Sequence, residues 1–221
     1  GPGLGALTEE LINLNKEVYA YEIDKTMVEH LNNYFANKSN FHIIEGDFLK
    51  QELNYNQEVS FISNIPYSLT TPIIEKVIKS KLNIDSFVFM LQKEAGQRIS
   101  AKKGNKDYGP LPIMLSYLGK LEIVCKVTRD KFLPSPNVDS VVMKLTFNKN
   151  RNYDYEKKLY NLLNNAFLMR RKTLANNLKS YFKDKDQMYD IFSKININKT
   201  ARPEELSLND YLNLLNCIIN L

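Results

Sequence analysis

The first two-thirds of the chain switches repeatedly between two hydrophobic periods, and this alternation restricts its possible folds more than any other feature. Short runs of strand character occur at Glu17–Asp24, Phe41–Asp47, Glu58–Ser63 and Ser86–Gln92. Between them, Lys25–Ala36 sets Met27, Val28, Leu31 and Phe35 at helical spacing, a second helix is predicted near Thr71–Lys79, and "EAGQRISA" turns helical after the fourth strand. Strands separated by helices pair in parallel, with the helices covering the faces of the sheet. A later pair, "LEIVCKVTRDKF" and "SVVMKLTF", has no helix between its members and predicts an antiparallel hairpin that finishes the sheet. The fold class is therefore α/β, with a mostly parallel sheet.

After about Phe147 the pattern changes. The polar stretch "NKNRNYDYEKK" is followed by apolar residues at helical intervals: Leu159, Leu162, Leu163 and Phe167, then Leu174, Leu178 and Phe182, then Leu206, Tyr211, Leu214 and Leu215. This predicts a small all-helical domain of about three to five helices and divides the chain at 1–148 and 149–221. Hydrophobic residues make up 43% of the 221, enough for a sizeable core, yet no run reaches the about 18 apolar residues of a membrane helix. Nothing at the start has the form of a signal peptide. Cys125 and Cys217 lack metal-ligand spacing and read as buried free thiols of a reducing compartment; His30 and His42 have no cysteine near them, so no zinc site is expected. The net charge of +5 favours a polyanionic partner.

Chemistry-bearing residues collect at predicted strand ends. Gly1, Gly3 and Gly5 form a G-x-G-x-G turn before a helix, which is either a plain tight turn or a place where a ligand approaches the backbone. Glu22 closes the next strand, where an acid can accept both hydroxyls of a ribose; as an exposed surface acid it would need no role. Asp47, at the following strand end, is set to meet an adenine amino group, or serves only as a turn residue. Asn64-Ile65-Pro66-Tyr67 ends the next strand. An adenine amine is a poor nucleophile because its lone pair is delocalised into the ring. The Asn64 oxygen and a nearby backbone carbonyl can accept its two N–H bonds and shift the nitrogen toward tetrahedral geometry. Pro66 fixes the turn and Tyr67 offers a face for stacking, worth about 1–3 kcal/mol per base. The nitrogen then attacks a sulfonium methyl group in line, by positioning and electrostatics without a strong base. No G-x-x-x-x-G-K-[ST] loop is present, which disfavours nucleotide triphosphate hydrolysis.

Taken together, "GPGLGALTE", "YEID", "EGDFL", "NIPYSLTTPII", "FMLQKEAGQRISA" and "FLPSPNVDSVVMKL" resemble the KsgA-type small-subunit ribosomal RNA adenine dimethyltransferases. "AFLMRRKTLANNL" and "ARPEELSLNDY" resemble that family's helical domain, so the likeness spans nearly the whole chain. The resemblance implies a Rossmann-like class I methyltransferase sheet with a small all-α C-terminal domain. It implies that Gly1, Gly3, Gly5, Glu22, Asp47 and Asn64 contact S-adenosylmethionine, that Asn64, Pro66 and Tyr67 serve the target adenine, and that Phe132 stacks on the other face of the base. Without the likeness, Phe132 reads as a core aromatic before a proline turn. The implied activity is successive dimethylation of adenine amino nitrogens in small-subunit (16S) rRNA, on the immature 30S subunit, by a cytoplasmic monomer. The family also has an N-terminal segment and first strand with no counterpart in this sequence, so the methionine end of the cofactor site is expected to be incomplete.

Basic residues fit an RNA partner. Lys93, Arg98, Lys102, Lys103 and Lys106 surround a glycine-containing loop, and Arg170, Arg171 and Lys172 are placed at the opening of a helix. Such runs are ordinary solvated faces or, with a base-modifying pocket between them, phosphate contacts. The target base must leave its stack, which favours a loop or exposed strand. The rival readings are a large-subunit methylase of the macrolide-resistance type, against which "FMLQKE" and "RRKTLANNL" argue, and an assembly factor that binds the immature small subunit without catalysis. A DNA adenine methylase is a weaker option, since it ordinarily carries a different residue pattern at the Asn64 turn.

Overall fold

In the computed structural model, which describes residues 1–221, the alternation becomes a β/α succession. It runs α1 (Ala6–Asn13), β1 (Val18–Glu22), α2 (Lys25–Tyr34), β2 (Phe41–Glu45), β3 (Val59–Asn64), α3 (Thr70–Lys79), β4 (Ile84–Gln92) and α4 (Lys93–Ile99). Then follow α5 (Pro110–Leu118), β5 (Gly119–Val127) and β6 (Ser140–Phe147). Local chemistry sets several of these limits. Asp24 caps α2 by accepting the Thr26 and Met27 N–H groups, which ends β1 within two residues of the helix start. The helix α5 was not anticipated from "PLPIMLSYL". Its prolines fall in the first turn, where a missing N–H costs nothing and φ is already suited to the helix.

The strands form two hydrogen-bonded pieces. β1 pairs in parallel with β2, from Val18 opposite Phe41 to Glu22 opposite Glu45. β3 pairs in parallel with β4, and β6 runs antiparallel to β4 on one side and β5 on the other, in the order β3-β4-β6-β5. The second strand of the hairpin thus lies inward and β5 is the edge. No ladder joins β1 to β3. An aromatic layer spans the space instead: Phe48 lies 5.2 Å from Tyr21 and 6.4 Å from Phe61, and Tyr55 lies 4.9 Å from Tyr19, ring centre to ring centre. The buried core divides along the same line. Ile12, Leu31 and Phe35 form a small cluster beside β1 and β2, while 39 other buried residues form a single large one.

The two cysteines correct an expectation. Both are free, but Cys125 is exposed and Cys217 only half-buried. Cys125 lies on the edge strand, whose outer side is solvated, so its burial does not follow from its residue type.

After β6 the chain is helical: α6 (Tyr153–Ala166), α7 (Leu174–Leu178), α8 (Lys185–Lys194) and α9 (Leu208–Ile219). Asn152 caps α6, and Ser207 with Asp210 forms a reciprocal capping box at α9. The burial does not divide at residue 148. Leu115 of α5, Leu145 of β6, Leu159 and Leu163 of α6 and Leu214 of α9 belong to one cluster. Arg151 anchors the junction: it pairs with Glu156, donates to the Ile78 carbonyl at 2.8 Å, and lies over the Phe147 and Tyr153 rings.

Candidate active site at the strand ends

The structure brings the candidate residues together in two groups. In the first, the Gly1-Pro2-Gly3 segment turns through a Gly5 N–H to Pro2 carbonyl bond of 3.1 Å, and Gly3 and Gly5 take φ of +56° and +92°. These left-handed conformations explain two of the three glycines without a ligand. Gly5 is also tight: a Cβ there would sit 2.9 Å from Leu31 and 3.0 Å from Phe35. Gly1 is different, because a Cβ would only touch Glu22 Oε2 at 3.6 Å.

Glu22 is buried, and its Oε1 accepts the Ile23 and Asp24 N–H groups at 2.9 and 3.0 Å. Its Oε2 takes no protein hydrogen bond and faces Gly1. A carboxylate held by two backbone donors on one oxygen, with the other free, suits a vicinal diol. The exposed surface acid considered for this position is thereby excluded. The neighbouring strand end is tied to it, since the Gly46 N–H donates to the Glu22 carbonyl at 2.7 Å. Asp47 follows and closes a local turn by accepting the Leu49 N–H at 2.9 Å.

The second group lies at the end of β3. The Asn64 backbone pairs opposite Met90 of β4, and the Ile65 N–H donates to the Met90 carbonyl at 3.1 Å. Ile65 is buried and anchors the turn, whereas the Asn64 carboxamide is exposed and no protein group bonds it. Pro66 (φ −56°, ψ 132°) leads into a short 3-10 turn, Tyr67–Leu69, whose first residue is 43% exposed. The Tyr67 hydroxyl stands 3.5 Å from that of Ser140, at the start of β6. Phe132 is half-buried, follows the 3-10 turn Arg129–Lys131, and belongs to neither hydrophobic cluster. The reading of Phe132 as a core aromatic is thereby excluded. No hydrogen bond links the first group to the second.

Lys93 and Arg98 lie exposed on α4, and Lys102, Lys103 and Lys106 lie exposed on the loop after it. Arg170, Arg171 and Lys172 lie in the turn between α6 and α7 and do not open the helix, because Thr173 is the cap of α7. Arg170 Nη2 donates to the carbonyls of Lys106 (2.5 Å) and Tyr108 (3.2 Å). That bond joins the two basic segments. None of these eight cations forms an ion pair with an acid. The sequence reading gave no role to Asp139 or Ser140, although both stand in "FLPSPNVDSVVMKL"; an acid and a hydroxyl at a strand entrance were the available signal.

A β/α sheet with a glycine turn and a buried acid bonded on one oxygen at one strand end, and an unpartnered carboxamide beside an exposed ring at another, fits a methyltransferase of the Rossmann-like, S-adenosylmethionine-dependent class. A family model described as ribosomal RNA adenine dimethylase matches residues 1–220, and the chain belongs to that family. Among its relatives is a protein of Clostridium botulinum named ribosomal RNA small subunit methyltransferase A. It is 38% identical over all of this chain and 82% of its own length. A protein of the same name from Bacillus cytotoxicus is 38% identical over 99% of this chain and 80% of its own. Among solved structures, a dimethyladenosine transferase from Plasmodium falciparum superposes with a TM-score of 0.80 at 28% identity, covering 97% of this chain and 86% of that one. The 23S rRNA methyltransferase ErmE shares the fold, with a TM-score of 0.70 at 24% identity over 99% of this chain and 88% of its own.

Proposed function

We propose that this chain dimethylates the exocyclic amine of adenines in small-subunit rRNA, acting as a cytoplasmic monomer on the immature 30S subunit. The observation that carries the reading is the Asn64 carboxamide: exposed, unbonded by protein, and followed by the rigid Pro66 and the open Tyr67 ring, in a chain of the rRNA adenine dimethylase family. The residues present suit the cofactor. Glu22 offers Oε2 to a ribose diol, Gly1 leaves room beside it, and Asp47 and Asn64 complete the polar set. When bound, S-adenosylmethionine supplies an electrophilic sulfonium methyl group.

The protein's part is placement. The Asn64 oxygen and a neighbouring backbone carbonyl accept the amine N–H bonds and draw its lone pair out of conjugation with the ring. Tyr67 holds the flipped base by stacking, and Phe132 covers its other face. The amine loses its proton after the methyl has been accepted, so no side chain needs a raised basicity. Exposed Lys93, Arg98, Lys102, Lys103, Lys106, Arg171 and Lys172 contact phosphates, and binding falls steeply with salt.

The test is incubation of undermethylated small and, separately, large subunits with labelled S-adenosylmethionine, followed by mass analysis of the nucleosides. Dimethyladenosine in small-subunit rRNA is the expected product, and Asn64→Ala removes it while subunit binding persists. Label in large-subunit rRNA, or subunit binding with no methyl transfer from the unaltered chain, would replace this reading with one of its two rivals.

A further inference from the structure

Asp139 and Ser140 are consecutive residues at the entrance to β6, and each is bonded to the support of one of the two aromatic rings. Ser140 is 1% exposed, and the Tyr67 hydroxyl, at 3.5 Å, is the only partner of its side chain. This separation is longer than the roughly 2.5–3.0 Å of an ordinary O–H···O bond, so the contact is a loose one of the kind that tightens when substrate binds. Asp139 Oδ1 accepts the Arg129 N–H at 3.1 Å. The Arg129 carbonyl in turn accepts the Ser135 hydroxyl at 2.9 Å and the Phe132 N–H at 3.3 Å. Arg129, held through its N–H by Asp139, therefore sets through its carbonyl where Phe132 leaves the turn.

Packing does not do this job. From Thr128 to Asn137 only Phe132 and Pro136 are even half-buried, and Leu133 is fully exposed. A loop without a core of its own takes its position from its hydrogen bonds. Both residues are also tied to the strand that aligns Asn64. The Lys93 N–H donates to the Asp139 carbonyl at 2.9 Å, Gln92 of β4 pairs opposite Ser140, and β4 holds the Ile65 peptide.

We propose that Asp139 and Ser140 are positioning residues that set the two aromatic rings relative to Asn64 and so fix where the target adenine is held. The proposal rests on the reading of Tyr67 and Phe132 as the two faces of the base site. Asp139 acts through its side-chain oxygen as an acceptor for the Arg129 N–H, not as a charge, and Ser140 acts through the Tyr67 hydroxyl.

Methyl transfer by the full chain is measured for Asp139→Ala, Asp139→Asn, Ser140→Ala, Tyr67→Phe and the Ser140→Ala/Tyr67→Phe double variant. A misplaced base costs turnover, so Asp139→Ala lowers kcat about 10- to 100-fold. S-adenosylmethionine affinity stays at the unaltered value. Asp139→Asn, which keeps the acceptor, restores kcat. Ser140→Ala and Tyr67→Phe lose alike, and the double variant loses no more than either. A readout without turnover uses an rRNA fragment carrying 2-aminopurine in place of the target adenine; the chain contains no Trp to obscure its emission. Stacking between the rings quenches it, and both alanine variants brighten it at unchanged RNA affinity.

The proposal is overturned if Asp139→Asn falls as far as Asp139→Ala, if the Ser140 and Tyr67 losses multiply, or if cofactor affinity falls in step with kcat. Tyr67→Ala and Phe132→Ala are run alongside. If these two leave turnover and emission unchanged, the base-site reading itself fails. If they alter both while Asp139→Ala and Ser140→Ala do not, only the positioning role fails.

Discussion

Replacing Glu156 by Gln tests how the sheet is joined to the helices. Glu156 and Arg151 are 6% and 5% exposed at their side chains, and are bonded twice, Nε to Oε1 at 3.0 Å and Nη2 to Oε2 at 2.7 Å. The guanidinium also lies 5.0 Å from the Phe147 ring centre and 4.9 Å from that of Tyr153, while its Nη1 is buried without a partner. Taking away the carboxylate strands a buried charge that already has one unmet donor. The expected loss is about 3–5 kcal/mol, a large share of the roughly 5–15 kcal/mol that stabilises a typical domain. Arg151→Met should cost a similar amount, because it strands Glu156 in turn. The Arg151→Met/Glu156→Leu double variant removes both charges and leaves chiefly the buried Ile78 carbonyl without its donor, a cost of about 1–3 kcal/mol. Urea unfolding of the four proteins, followed by two probes to check for a single transition, measures all three differences. A single-variant loss below about 1 kcal/mol, or a double variant less stable than either single, would refute the account of a buried pair that depends on its partner.

Three further outcomes are expected. At Gly119 a Cβ would collide with the Thr146 carbonyl oxygen and lie 3.0 Å from the Phe147 Cα, so Gly119→Ala should lower stability by about 1–3 kcal/mol in thermal unfolding; an unchanged melting temperature would count against the close β5–β6 approach. Burial pushes the Glu75 carboxyl up, but hydrogen bonds from Lys79 and Tyr160 outweigh this and hold it below its ordinary 4.5. Its contribution is therefore full above pH 4.5 and is lost as pH falls through the lower folded value, so the stability gap to Glu75→Gln should close in acid and not widen. Finally, β1 and β2 rest on three buried residues while β4 and β6 rest on 39, so backbone amides of Val18–Glu22 should exchange hydrogen well before those of Phe87–Leu91. Equal protection would mean that the two pieces open together.

The placement of the candidate residues could be read from the sequence because strand ends announce themselves. Glu22, Asp47 and Asn64 each follow an apolar run and precede turn chemistry, so their place at a sheet edge follows from local pattern. For Asp139 and Ser140, proposed above as positioning residues, the sequence offered only an acid and a hydroxyl at a strand entrance and nothing about their partners. Their partners, Arg129 and Tyr67, are ten and 73 residues away, and only the antiparallel entry of β6 beside β4 brings Ser140 under the tyrosine. Arg170 behaved likewise. Its charge suggested a phosphate contact, whereas its position on two backbone carbonyls of the facing loop also makes it a strut. The helix α5 was hidden because two prolines in nine residues look like a break unless both fall in the first turn.

Hydrophobic period and turn residues are local properties, and by themselves they determined the β/α order, the closing hairpin, the helical end and the strand-tip acids. The division of the sheet between β1 and β3, the inward place of β6, the core shared across residue 148 and the free Asn64 carboxamide were decided only in three dimensions. Each depends on which distant surfaces meet and which polar groups are left unbonded. No span of neighbouring residues carries that information.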